Sequence, residues 1–324
     1  MQKTANNLTP IFYDMAIEAS AALRGQIHRE IPGVKEEISE STIGRITKIT
    51  IFNEEGATLM GRPCGTYITL DEKNGSIEEN IESSLVNILS GLIGSIMPHK
   101  DDGPVLICGI GNGAIAADAL GEKTVARIFP TRHLFQNSTL TEQNDYRSTA
   151  LFCPNVLGNT GMEAAELIQG VCRSIHPCFI LVIDALATSS ASRLTHSFQL
   201  NNNGLVPGGG IGNTRPGLDE ATLGAPVIAI GVPTVIYPHA LIREAVSILY
   251  DSHSRKNKPT PLPNPEETEK LLFQKMQHSL SLGAVTPKDI DTTIDSLSRV
   301  LAGAILCALH PAVHIDNYQS YFPI

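Results

Sequence analysis

Three short runs in this chain are apolar at every position: Val105–Cys108, Phe179–Ile183 and Val227–Ile230. A strand with one wet face alternates apolar and polar residues, so unbroken runs of this kind are strands covered on both faces. Stretches with helical spacing separate them, at residues 119–127 and 161–174. Strand, helix, strand in this order predicts an α/β fold, with a mostly parallel central sheet and helices on both faces. The 42% apolar content of the 324 residues is enough to fill such a core.

Further elements attach to this frame. Residues 46–52 and 66–70 are β-rich, and 153–156 reads as another short strand. Residues 14–30 and 81–97 carry helical periodicity, the second stopped by Pro98. Thr160 is placed to N-cap the helix at 161–174. Thr286-Pro287 opens a last helix toward His310, with Thr286 as N-cap and Pro287 in the first turn. Residues 1–13 read as a leader or propeptide, and 14–324 as a single domain. Residues 251–268, rich in Pro, Ser, Lys and Asn, read as an exposed loop.

Composition narrows the class of partner. With 24 Lys+Arg against 33 Asp+Glu the net charge is −9, which argues against direct binding of nucleic acid. The N-terminus has no apolar signal region, and 85–93 is too short and interrupted to span a bilayer, so no membrane partner is expected. None of the six cysteines forms a C-x-x-C pair, which leaves no zinc knuckle or redox motif. Reduced thiols in a cytoplasmic compartment are expected.

Two acids stand out by position. Asp184 directly follows the run 179–183, and Asp118 lies in the loop after 105–108. Ligands of an open parallel sheet bind at the carboxyl ends of its strands. Two carboxyls meeting there share a proton, one acting on water as base while the other polarises a carbonyl. The plainer alternatives are a helix N-cap for Asp118 and a turn residue for Asp184. A metal site from Asp118, Asp184 and His133 is a further alternative. Gly109-Ile110-Gly111-Asn112-Gly113-Ala114 fits G-x-G-x-x-G/A, but no ribose-binding acid follows at the right distance. A second Gly-rich loop at 207–213 offers backbone N–H groups, from Gly208 and Gly210 among others, for an anion or oxyanion. Arg132, His133, Arg193 and Arg215 stand near element ends as substrate-binding or salt-bridging groups. There is no G-x-S-x-G and no H-E-x-x-H.

The motifs together resemble a known family. Asp118-Ala119-Leu120-Gly121, Thr131-Arg132-His133-Leu134, Ile183-Asp184-Ala185-Leu186-Ala187, Pro207-Gly208 through Arg215, Leu223 through Val235, and Val285 through Ile290 look like the bacterial spore germination protease, in order along nearly the whole chain. The resemblance implies an endopeptidase that degrades small acid-soluble DNA-binding spore proteins at germination. It implies an atypical aspartic-type enzyme without cofactor or metal, with Asp118 and Asp184 as its catalytic pair. It further implies a homotetramer in the spore-core cytoplasm, made as a zymogen, with a fold similar to hydrogenase maturation proteases (phosphorylase/hydrolase-like). Arg132, His133, Gly208, Gly210 and Arg215 are the secondary candidates for substrate and oxyanion contacts. The chain departs from the family pattern at Gly113–Ala117, where W-N-V-T-P is usual, and at Phe12–Ala16, where R-T-D-L-A is usual. The first departure motivates a rival reading, a catalytically silent relative that binds spore proteins.

Overall fold

The three apolar runs form the middle of one eight-stranded sheet. In the computed structural model, which describes residues 14–27, 30–73, 79–98, 103–136, 145–207, 215–254, 264–280 and 283–323, the strands are β1 (Val34–Glu40), β2 (Gly44–Ile51), β3 (Gly65–Glu72), β4 (Val105–Gly109), β5 (Thr149–Phe152), β6 (Phe179–Thr188), β7 (Ser197–Asn201) and β8 (Val227–Ile236). Their order is β1-β2-β3-β7-β8-β6-β4-β5. β8, β6, β4 and β5 are parallel neighbours. β1, β2, β3, β7 and β8 pair antiparallel. The sheet thus has a parallel half, as the apolar runs predict, and an antiparallel half built onto β8.

The helices are α1 (Ala16–Ile27), α2 (Glu54–Met60), α3 (Glu79–Ile96), α4 (Leu120–Val125), α5 (Arg132–Gln136), α6 (Leu157–Thr160), α7 (Ala164–Ile175), α8 (Glu220–Leu223), α9 (Pro238–Ser254), α10 (Pro265–Leu280) and α11 (Ile290–Leu309). They cover both faces. On one face α3, α4 and α11 bury Leu70, Ile107, Leu181, Leu200 and Ile230. On the other, α7 and α8 cover Leu106, Ile180 and Val227, while α1 and α2 cover Ile49, Ile51 and Tyr67. α11 is long and apolar enough to cross a membrane, yet it lies in the core. A Cβ at its Gly303 would stand 2.6 Å from the Tyr318 ring and 3.2 Å from Val86. At the sheet edge, β1 carries Lys35, Glu36, Glu37 and Glu40, charges that disfavour pairing with another chain.

Several local expectations shift. The β5 strand ends at Phe152 rather than starting at Cys153, because its residues pair with Val105–Cys108 of β4. α7 is capped by Glu163, not Thr160: Glu163 and Glu166 form a reciprocal capping box. α11 begins at Ile290, and the Thr286 hydroxyl instead donates to the Thr234 carbonyl, 2.8 Å, tying the segment to β8. The expected loop at 251–268 is helical at both ends, since α9 runs to Ser254 and α10 starts at Pro265; residues 255–263 lie outside the described set, as does the leader 1–13.

Candidate active site

β6 and β8 run on past the end of their neighbour. β4 stops at Gly109, which pairs with Ile183, and the Ile110 N–H closes on the Ile183 carbonyl at 2.8 Å. Asp184 is the first β6 residue beyond that point, inside a strand that continues to Thr188. Sequence reasoning placed Asp184 after the strand; the strand is longer because β8 pairs with it as far as Ile236. Asp184 stands opposite Gly231 of β8, and Gly231 opposite Gln199 of β7. Laterally paired residues point to the same face, so two polar side chains flank a glycine. A cavity of about 490 Å³ opens there, with Asp14, Arg62, Tyr67, Asp184, Gln199 and Asn203 in its lining. A Cβ at Gly231 would collide with the Leu186 side chain, another wall residue.

Asp118 does not line this cavity; the loop after β4 brings it close enough for its charge to act on Asp184. Gly111 has φ +109°, and a Cβ there would strike the Asp118 backbone. Gly121 lets the start of α4 approach the sheet; a Cβ there would be 2.6 Å from the Ile183 carbonyl oxygen. Asp118 lies in a 3₁₀ turn, Ala116–Asp118, and its Oδ2 accepts the Asn112 N–H at 2.8 Å. It therefore caps its own preceding loop and not α4. The Asn112 amide that a dinucleotide phosphate would need is taken by this carboxylate. The glycines of the G-x-G-x-x-G match serve close backbone approach.

The proton affinities are uneven. Asp184 is 6% exposed. Burial, then the charges of Asp118 and Asp14, push its pKa well above the usual carboxylate range, against one hydrogen bond from the Ala185 N–H at 2.9 Å. Burial also raises Asp118, opposed by the Asn112 N–H. Sequence reasoning named this pair and missed the third acid. Asp14 Oδ2 accepts the Ala187 N–H at 2.9 Å. Burial and the Asp14 charge push the Tyr237 phenol up to about 12. Half-buried Arg62 has its pKa lowered by burial and supported by Tyr67, Asp14 and Glu18.

The segment carrying Asp14 is held from several sides. Gln199 Nε2 donates to the Asp14 carbonyl at 3.0 Å, and Gln199 Oε1 accepts the Ala16 N–H at 2.6 Å. Buried Glu18 accepts the Thr188 hydroxyl at 2.5 Å and the Ser189 N–H at 3.0 Å, with Arg193 at 3.8 Å. Arg193, left open between substrate and salt bridge by the sequence, bonds Asp71 at 3.2 Å.

The secondary candidates do not gather at the cavity. Arg132 and His133 sit on α5, half-buried and exposed, and neither lines it. Arg215 is half-buried and does not line it either. Gly208 and Gly210 lie outside the described residues. Among the described residues no three His, Cys, Asp or Glu side chains form a metal-holding group, so His133 does not join Asp118 and Asp184.

Fold and site together define an α/β protein with coupled carboxyls at the end of a parallel sheet. The germination protease family model matches residues 13–266. The germination protease of Clostridium tetani is 35% identical over 318 residues, covering 95% of this chain and 98% of that one. That of Caldanaerobacter subterraneus is 36% identical over 311 residues, 93% and 94% of the two chains. That of Priestia megaterium is 32% identical over 356 aligned positions, 95% and 96%. The chain belongs to the germination protease family. Among solved structures, the [NiFe] hydrogenase maturation protease HycI from Thermococcus kodakarensis covers 59% of this chain and 99% of its own, at 15% identity and a TM-score of 0.28. That likeness is too slight to bear on the site.

Proposed function

We propose that the protein is an endopeptidase that begins the breakdown of small acid-soluble DNA-binding spore proteins at germination. Peptide bonds are cut by water activated between Asp118 and Asp184. The observation that carries this reading is the buried Asp184 carboxyl, its proton affinity raised by burial and by the Asp118 charge. Asp184 keeps its proton and donates to the scissile carbonyl. Asp118, with its charge supported by the Asn112 N–H, takes a proton from water as the water attacks. Two acids with separated affinities supply both halves of hydrolysis. The net charge of −9 suits an enzyme that attacks the protein and leaves phosphates alone.

The test is incubation of the purified protein with a small acid-soluble spore protein, followed by resolution of the fragments. Discrete fragments are expected from the wild type and none from Asp118→Asn or Asp184→Asn. Full activity in both variants would overturn the pair. Inhibition by chelators with rescue by one metal ion would favour a metal-dependent peptidase. Binding without cleavage would favour the silent relative that the altered Gly113–Ala117 stretch suggests. The reading includes a homotetramer acting in the spore core, which sedimentation of the purified chain checks.

A further inference from the structure

On the sheet face turned away from the cavity, β3 and β7 bring a carboxylate and an imidazole together. The Glu72 N–H donates to the His196 carbonyl at 2.9 Å, so the two residues are neighbours across the strands. Both continue the alternation of Ile68, Leu70, Phe198 and Leu200, which pack into the core under α3 and α11. The adjoining pair, Asp71 and Ser197, points to the opposite face, where Arg193 bonds Asp71 at 3.2 Å. Lys73 is paired with Glu40. The Glu72 side chain is 1% exposed. Among the described residues neither of its carboxylate oxygens has a hydrogen-bond partner, and buried His196 Nδ1 has none either. A buried carboxylate is hydrogen-bonded, paired or bound to a metal, because its desolvation is otherwise uncompensated. An unprotonated Nδ1 and a carboxylate are both electron-pair donors, and two such atoms face each other stably across a shared cation. The spacing decides which cation. A shared proton draws the two atoms to about 2.7–2.9 Å. Two ligands at about 2.1 Å from one ion stand about 3.4 Å apart in a tetrahedron. His196 Nδ1 is 3.7 Å from Glu72 Oε2, beyond hydrogen-bond reach and close to the second value.

We infer that the Glu72 carboxylate and His196 Nδ1 hold a divalent ion of the zinc class, with water completing its shell. One carboxylate and one imidazole suit zinc, nickel or copper. Calcium and magnesium call for shells of oxygen instead. The imidazole is 33% exposed, which gives the ion an entry path and room for its waters. The site lies where β1, β2 and β3 join the rest of the sheet, since β7 is the neighbour of β3 on that side. The same two strands present Tyr67 and Gln199 to the cavity from their other faces. An ion bridging Glu72 and His196 therefore clamps two walls of the cavity from behind without entering it. Its role is structural, and it stands whether or not the peptidase reading does.

The test is calorimetric titration of the purified, chelator-stripped protein with zinc chloride, alongside melting curves that confirm folding. Glu72→Gln keeps the shape of the side chain and removes its charge, so it is expected to fold; His196→Ala removes the second ligand at a partly exposed position. The wild type is expected to bind one zinc ion per chain at this site, and its Tm is expected to rise with zinc. Each substitution is expected to weaken binding at least about tenfold, the least that loss of a ligand costs, and to remove the rise in Tm. Asp118→Asn and Asp184→Asn are expected to bind zinc as the wild type does. No zinc binding by the wild type overturns the inference, as does a loss smaller than tenfold in either Glu72→Gln or His196→Ala. Binding lost in Asp118→Asn or Asp184→Asn and kept in Glu72→Gln places the ion at the catalytic pair and overturns it too. Magnesium chloride is expected to leave Tm unmoved; a rise equal to that with zinc overturns the assignment to the zinc class.

Discussion

Asp184→Asn should make the folded protein more stable at neutral pH while removing its activity. Asp184 is 6% exposed, accepts one backbone N–H, and faces the charges of Asp118 and Asp14. Its pKa is raised on folding, so between the unfolded value near 3.8 and the raised folded value the native state holds a proton that the unfolded chain has released. The stability contributed by this group is therefore full below the unfolded value and is lost as pH rises through the folded one. Each unit of the upward shift costs about 1.4 kcal/mol at the alkaline end. Asparagine carries no charge at any pH and still offers Oδ1 to the Ala185 N–H. The relief of a poorly compensated buried charge is worth about 1–3 kcal/mol. Melting curves of wild type and Asp184→Asn from pH 4 to pH 8 read this directly: the variant gains on the wild type as pH rises, and the curves converge near pH 4. Asp118→Asn should lower the pH at which the wild-type loss is complete, and make that loss smaller, because one of the two like charges that raise the folded value is gone. An Asp184→Asn protein that is less stable at pH 7, or a difference constant with pH, would refute the assignment of Asp184 as the strained member of the pair.

Gly231→Ala puts a methyl against the Leu186 side chain in the cavity wall; a loss of about 1–3 kcal/mol in urea melts and a steep fall in cleavage are expected. Gly303→Ala, far from the site, drives a Cβ to within 2.6 Å of the Tyr318 ring and should cost a similar amount of stability with kcat unchanged in the folded fraction. Burial, then the Arg147 charge, hold His310 down to about 4, so the unfolded chain binds its proton first as pH falls below about 6.5. Stability should decline by up to about 3 kcal/mol between pH 6.5 and pH 4, and His310→Gln should flatten that limb in pH-dependent melts.

The parallel half of the fold is legible in the sequence because burial on both faces writes itself as unbroken apolar runs, as in β4, β6 and β8. β7 is not legible for the opposite reason. Its residues Ser197, Gln199 and Asn201 alternate with Phe198 and Leu200, and all five are buried. The polar three face the cavity side and not water, so a pattern rule reads them as loop or surface. Asp184 and Asp118 could be picked by their distance from apolar runs, a purely local signal. Asp14 and Gln199 could not, since what matters about each is a partner 173 to 185 residues away in sequence. Arg132 and His133 show the converse: residues near an element end, in a motif shared with a family, that the fold sends to α5 and away from the cavity lining.

The site stands at the seam between the two halves of the sheet, and each half supplies what the other lacks. A parallel half ends its strands in loops, and the loop after β4 can fold back to set Asp118 near the end of β6. Its edge strand, β5, pairs only with β4 and lies on the far side of β4 from the site, and α7 and α8 cover one face of this half. An antiparallel neighbour such as β7 presents side chains in register with β8. Where β6 and β8 overrun β4, a strand-borne acid and a strand-borne carboxamide, Asp184 and Gln199, line one cavity, and the charge of loop-borne Asp118 acts on Asp184. The glycine at position 231 leaves room for the Leu186 side chain, which a Cβ there would strike. A side chain there would leave both acids in place and their charges intact, yet displace Leu186 within the cavity that Asp184 and Gln199 line. For that reason the loss of cleavage in Gly231→Ala should exceed what its loss of stability explains, whereas in Gly303→Ala the two should match.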